Sequence, residues 1–250
     1  PQKSYKTTTQ QGEDMASKSG PDIIEDGLVL CLDAASKRSY PGTGTVWTDL
    51  KGSNNGTFTN MNAANFSSAN GGSLSFDGSN EYINSGLVLG AANTSFTLSA
   101  WIKLTSFNGP NGLVVFSNYG IVSTTALYAI VANDASNPTS VRVDARSSSN
   151  VLVQSNLIGV SDNTVFNHIS IVRDSSNDLL YLYVNNKNTS IGFLGSYDIR
   201  STGSNNGEIF LGRHLNTYMV GGSASIVAYS RALSADEIRR NYLSTKERFA

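Results

Sequence analysis

This chain of 250 residues carries 18 Lys and Arg against 19 Asp and Glu, a formal net charge of −1. With only 15% of its residues charged, it has no basic excess to attract nucleic acid or an anionic membrane. Its length suits one large domain with a sizeable core, and its polarity comes from Ser, Thr, Asn and 23 Gly, the residues of turns.

Residues 1–26 read as an extended N-terminal arm and residues 27–250 as one domain. The first 21 residues have almost nothing to bury and by themselves should be disordered. Such an arm becomes ordered only where something holds it, either a neighbouring subunit or the surface of its own domain. Gln2, Tyr5, Lys6, Thr8 and Gln10 are the residues expected to make those assembly contacts. The leading Pro fits removal of an initiator Met, and no apolar h-region of a secretory signal follows. Synthesis in a cytoplasm without export is therefore the expectation. No apolar run approaches the ~20 residues of a membrane span.

From Gly27 onward, short apolar runs alternate with Gly, Asn and Ser clusters, which is the pattern of an all-β sandwich. Strands are expected at Leu28–Asp33, Ser73–Phe76, Glu81–Asn84, Ser95–Leu104, Leu113–Ser117 and Leu127–Val131. Six more are expected at Thr139–Ala145, Val151–Gln154, Val165–Arg173, Leu179–Asn185, Glu208–Gly212 and Ala224–Tyr229. Cys31, the only cysteine, lies in the first and is expected to be a buried, inert thiol. In Phe96–Leu104, period-two alternation sends Phe96, Leu98, Ala100, Ile102 and Leu104 to one face. Trp101 falls on the other face with Thr97, Ser99 and Lys103. It is either a second-layer packing residue or an exposed platform for a sugar or partner. Asp174–Asp178, DSSND, reads as a hairpin turn. One helix follows Tyr229: Ser234 and Glu237 form a capping box, and Leu233, Ile238 and Tyr242 form an apolar stripe.

Those closing residues, YSRALSADEI from Tyr229 to Ile238, resemble the final motif of laminin-G-like domains in the concanavalin A-like lectin/glucanase superfamily. FDGSNEYI at Phe76–Ile83 and SFTLSAWIKL at Ser95–Leu104 resemble two further segments of that family. VFNHISIVRD with LLYLYVNN, and GEIFLGR at Gly207–Arg213, resemble two more. The resemblance spans roughly Gly27 to Ser244. It implies a concanavalin A-like antiparallel β-sandwich (jelly roll) with a short C-terminal helix. Function does not follow from it, because this sandwich carries lectins, adhesion modules, enzymes and structural proteins. One departure is VGGSASIVAY before the closing motif, where small residues from Gly221 to Ser225 replace a bulky core position. No family binding residue is transferred.

Glycosidic cleavage with retention needs two carboxylates about 5–5.5 Å apart. None of the six Glu, at 13, 25, 81, 208, 237 and 247, begins the alternating acidic motif of the sandwich glucanases. An enzyme is not expected. No cofactor is expected beyond calcium, which favours clustered oxygens. Its candidate ligands are Asp77, Asn80 and Glu81, with Asp33 also available, although Asp77 also suits a turn with Gly78. The two histidines, His168 and His214, lie in strands and do not form a zinc cluster. Tyr119, Tyr128, Tyr197 and Tyr218 lie in or near loops, where they could stack on pyranose rings. Four sequons, at Asn55, Asn65, Asn93 and Asn188, are of the number expected by chance.

GLVLCLDAASKRSYPGTGTVWTDLKGSNNGTFTN, with GGSLSFDGSNEYI after it, is similar to lectin-like sandwiches of marine and cyanobacterial phages. That resemblance implies a non-enzymatic structural protein at the virion surface of a tailed bacteriophage. Capsid decoration is the first expectation, with a tail or fibre component as the alternative. The implied partners are other virion proteins, the major capsid protein first, with a host-surface glycan and further copies of the chain as candidates. A second class of reading is a carbohydrate-binding adhesion module of a bacterial surface protein. A glycosidase, the third, would need a carboxylate pair not recognised in the sequence.

Overall fold

In the computed structural model the described residues are 23–89, 94–105, 113–117, 128–134, 137–146, 152–156, 158–160, 165–192, 208–214 and 217–249. The five assembly-contact residues of the arm lie outside them. All twelve expected strands form, with ends shifted by a few residues. In chain order the strands are β1 (Leu28–Asp33), β2 (Val46–Trp47), β3 (Gly56–Thr59), β4 (Phe66–Ser67), β5 (Ser73–Asp77), β6 (Tyr82–Val88) and β7 (Phe96–Leu104). They continue with β8 (Leu113–Ser117), β9 (Tyr128–Asp134), β10 (Asn137–Arg146), β11 (Leu152–Gln154), β12 (Ile158–Gly159), β13 (Asn167–Asp174) and β14 (Leu179–Val184). The last are β15 (Lys187–Gly192), β16 (Glu208–Leu211), β17 (Arg213–His214), β18 (Thr217–Tyr218) and β19 (Val220–Tyr229), followed by helix α1 (Ala235–Thr245).

Two large antiparallel sheets result, with β17 and β18 forming a separate two-stranded ribbon. The first runs β15-β14-β13-β7-β19-β5-β4, with β1 beside the second half of β19. The second runs β11-β10-β9-β8-β16-β6-β3-β2, with β12 alongside β10. The dry core between them takes Leu98, Ala100 and Ile102 from β7, Ile169 and Ile171 from β13, and Ile226 and Ala228 from β19. From the second sheet it takes Phe58, Ile83, Leu87, Ile209 and Leu211. These are the inward halves of alternating strands, which is why the sequence pattern located them.

The opposite side of the first sheet is also buried. Thr97 and Ser99 are fully inaccessible because α1 lies across them. Leu233 and Ile238 pack there with Leu28, Val172, Tyr183, Tyr229 and Ile24. Trp101 takes the packing role. It is 3% exposed, Phe249 stacks on it at 4.3 Å between ring centroids, and its Nε1 donates to Thr245 Oγ1 at 2.7 Å. The capping box is complete, since Ser234 N donates to Glu237 Oε2 and Glu237 N donates to Ser234 Oγ. Arg231 adds a paired contact to the same carboxylate at 2.6 and 2.9 Å. Ile23–Asp26, read from sequence as the end of the arm, packs on this helix, with Ile24 N donating to Asn241 Oδ1 at 2.8 Å. Arg248 closes the C-terminal end by pairing with Asp33 at 2.9 Å.

Cys31 is half-buried rather than enclosed, because β1 turns its odd residues toward the rim of the helix-side cluster. Burial, then the neighbouring Asp33 and Asp49 carboxylates, push its thiol up to about 11, so it stays protonated and inert as expected. The DSSND hairpin forms with Asp174 Oδ1 accepting from Ser176 N and Asn177 N.

The C-terminal segment 231–249, which clasps the first sheet, makes the fold acid-sensitive in two adjacent windows. His168 lies beneath it, 5.3 Å from the Trp101 ring, and burial lowers it to about 4 from an ordinary 6.5. The unfolded chain therefore takes up the proton first. Stability is full above about pH 6.5 and falls toward pH 4. Glu237 is lowered to about 2, chiefly by its hydrogen bond from Arg231, so its contribution is present above about 4.5 and is lost toward pH 2. Calorimetric melting temperatures should fall across both windows, and His168→Phe should flatten only the upper one. An unchanged slope between pH 6.5 and 4 in that variant would contradict the assignment.

Candidate functional site

The residues singled out for calcium are brought near one turn, but most of their oxygens already have protein donors. Glu81 is 8% exposed, with Oε1 accepting from Asn65 Nδ2 at 2.8 Å and Oε2 from Asp77 N at 2.7 Å. Asp77 Oδ1 accepts from Ser79 N at 2.8 Å, the turn role its sequence allowed. The Asn80 carbonyl accepts from Asn60 Nδ2 at 3.0 Å. Asp33 Oδ1 accepts from both Arg248 and Ala35 N. Among the described residues no three His, Cys, Asp or Glu side chains gather as a metal group. The Asn65 sequon is closed as well, its amide held by Glu81 and by the Ser75 carbonyl.

A different cluster stands on the outer face of the second sheet. In β6, Ile83 and Leu87 point into the core, so Tyr82, Asn84, Gly86 and Val88 point away from it. In β16, Ile209 and Leu211 point inward, so Glu208 and Phe210 point outward. Strand register then lines up Val46 with Thr57, Thr57 with Asn84, and Asn84 with Phe210. Tyr82 meets Phe210 at 5.9 Å and Tyr218 at 6.4 Å between ring centroids. The Arg213 guanidinium sits 4.6 Å from the Tyr82 centroid and 6.0 Å from that of Phe210, close enough for cation–π attraction. Beside them Asn84 Nδ2 donates to Glu208 Oε2 at 2.8 Å.

Half-buried tyrosine rings next to an amide–carboxylate pair can serve the two sides of a sugar. The rings offer apolar faces to C–H groups, and the amide and carboxylate offer hydrogen bonds to hydroxyls. Two of the four exposed large hydrophobic residues among those described, Val46 and Val88, lie on this same face. The other sheet has no equivalent open face where α1 covers it.

Of the tyrosines considered from sequence, Tyr218 belongs to this cluster. Tyr119 and Tyr197 lie outside the described residues, as does the side chain of Tyr128. Sequence reasoning missed Tyr82, Phe210 and Arg213. The signal was present, since alternation sends Ile83, Ile209 and Leu211 inward and therefore Tyr82 and Phe210 to the outer face, where Phe210 is itself buried at 4% exposure beneath Tyr82 and Arg213.

A laminin-G-like family profile, described as the concanavalin A-like lectin/glucanases superfamily, matches residues 77–239. The chain belongs to that superfamily. The match takes in β6, β16 and the first turn of α1, so the Tyr82, Phe210, Arg213 and Tyr218 cluster and the capping box lie within it. No curated protein matches the sequence. Among solved structures, domain 4 of AbnA, a GH43 extracellular arabinanase from Geobacillus stearothermophilus solved with arabinotriose, has a TM-score of 0.62 at 16% identity. There 88% of this chain covers all of that one. Trypanosoma rangeli sialidase has a TM-score of 0.61 at 16% identity over 89% of this chain, which spans only 33% of the sialidase. The botulinum neurotoxin type G receptor binding domain has a TM-score of 0.58 at 13% identity, covering 87% of this chain and 51% of that one. At these identities the likeness is one of fold. The concanavalin A-like sandwich with one C-terminal helix is thus established. No helix among the described residues is long and apolar enough to cross a membrane.

Proposed function

We propose that this chain is a non-enzymatic, lectin-like structural module of a tailed-bacteriophage particle, a capsid decoration protein at the virion surface. In this reading it is held to the major capsid protein by its N-terminal arm and offers the outer face of its second sheet to a surface glycan. The observation that carries the binding half is the Tyr82, Phe210, Arg213 and Tyr218 cluster beside Asn84 and Glu208. The non-enzymatic half is supported by what holds the two candidate carboxylates. Glu81 is bracketed by neutral donors, and Glu208 is bonded by an amide. The particle assignment rests on the phage-like N-terminal third and on the polar arm.

A glycan array followed by titration tests the binding half. Tyr82→Ala should weaken the strongest hit by roughly fivefold to 150-fold, the range that corresponds to a loss of about 1–3 kcal/mol when a ring stacked on an aromatic side chain loses its platform, with nucleobase stacking as the guide. The variant should still fold but melt somewhat lower, because the Tyr82 ring covers Phe210 and Arg213, so binding is titrated well below its melting point; no reducing ends should be released. Deleting residues 1–21 tests the particle half, with a folded domain that no longer joins particles as the expected result. Full occupancy by the truncated protein would end the arm-anchoring reading. Undiminished glycan binding by Tyr82→Ala would end the face assignment.

A second reading is a carbohydrate-binding module of a larger bacterial surface protein. It is favoured by the match along the whole length of the arabinanase domain. In that case glycan binding survives, while particle incorporation is absent with or without the arm.

A further inference from the structure

The clasp helix does not rest on an entirely apolar surface. Leu98 and Ala100 of β7 and Ile169 and Ile171 of β13 enter the core, so Ser99, His168 and Ser170 point the other way, toward α1. The register sets Ser99 directly opposite Ser170 and His168 opposite Trp101. Helix α1 spans these positions along β7. At one end Leu233 N donates to Thr97 Oγ1, and at the other Trp101 Nε1 donates to Thr245 Oγ1. Between those two fixed points, Ser99 Oγ, Ser170 Oγ and His168 Nδ1 are buried and find no hydrogen-bond partner among the described residues. Two other buried atoms share that condition, Trp47 Nε1 and Ser223 Oγ, but each stands apart from this seam, Ser223 being opposite Ile102 and Leu74.

Three orphaned polar atoms on neighbouring positions of two adjacent strands are costly to leave dry, because each has given up its hydration. Directly opposed residues place their Cβ atoms about 4.5–5.5 Å apart, so two hydroxyls that do not bond each other can share one bridging water. Buried waters characteristically make about three hydrogen bonds to such otherwise unsatisfied groups. We propose that the seam between α1 and the first sheet is a buried water-binding site, in which ordered water bridges Ser99 Oγ and Ser170 Oγ and reaches His168 Nδ1. The water donates to the imidazole nitrogen and exchanges hydrogen bonds with the two hydroxyls. The neutral ring beneath Tyr242 and Trp101 accepts without gaining charge.

A crystal structure of the full chain at about 1.5 Å, with melts of Ser99→Ala and Ser170→Ala, tests this. The expected result is a solvent peak within hydrogen-bond reach of both hydroxyls. Each variant should melt lower by about 2–4 °C, with the double variant losing less than the sum because the same water is lost once. Should either variant misfold, the wild-type peak alone decides. A dry seam at that resolution, or variants that melt higher than wild type, would overturn the proposal. Higher melting is what removal of truly unpartnered hydroxyls would give.

Discussion

Gly221→Ala is expected to prevent formation of the native sandwich. At Gly221 the backbone has φ +154, where a Cβ would fall 1.9 Å from the Lys103 carbonyl oxygen and 3.0 Å from its carbon. Neither neighbour can withdraw, because Gly221 is paired with Leu104 of β7 on one side and Phe76 of β5 on the other. The clash is with backbone in the middle of the first sheet, so relief would require breaking the β7–β19 ladder. A loss above about 4 kcal/mol is the expected scale, which for many domains means no folded protein. Gly222→Ala is the control. Its added Cβ would meet the Leu74 carbonyl at 3.1 Å and the Phe166 ring at 3.7 Å, and its backbone needs no glycine. That variant should fold and melt somewhat lower. Soluble yield and a circular dichroism melt of each separate the two. A Gly221→Ala melting temperature within a few degrees of wild type would refute the argument.

The same strand shows why some of the fold was legible in the sequence and some was not. Alternation found β7, β13 and β19 because one face of each lies in the core. It could not explain why Gly221 to Ser225 are small. That reason is tertiary: close approach of β7 at Gly221, then a roof of Trp101 and Phe166 over Ala224, with Phe249 against both rings. Trp101 looked ambiguous for the same cause, since only the path of the C-terminal segment decides whether an outward tryptophan meets solvent. The edge strand β15, KNTSIG, was missed because it is polar. Its hairpin signal was nonetheless present in Asn185 and Asn186, which both adopt positive φ as a two-residue turn requires. The candidate site was half legible. Tyr218 was named, whereas Tyr82 and Phe210 were hidden inside motifs read only for their apolar partners. The hydrogen bond of Glu81 to Asn65 was not legible because the two are 16 residues apart and meet only when the turn before β4 packs against the start of β6.

Leu233→Ala should destabilise the domain by about 2–5 kcal/mol, and Ser234→Ala by about 1 kcal/mol. The two residues are adjacent, so the contrast isolates mechanism from position. Leu233 is 3% exposed between the helix and the first sheet, among Val172, Tyr229 and Ile238. Removing its side chain leaves a cavity whose walls are sheet residues that cannot collapse inward. Ser234 is exposed, and its Oγ accepts from Glu237 N at 3.3 Å, a long bond that water can partly replace. Its neighbouring contacts survive the change, because Ser234 N still reaches Glu237 Oε2 and Arg231 still grips the same carboxylate. The helix start is therefore weakened rather than released. At about 2–4 °C per kcal/mol for a chain of this size, the two melting temperatures should differ by several degrees. Both variants, assayed well below their melting points, should bind as wild type does, since the clasp and the aromatic face lie on opposite sheets. Equal melting temperatures, or a loss of binding without a loss of stability, would show that the C-terminal motif is a binding element instead of a clasp.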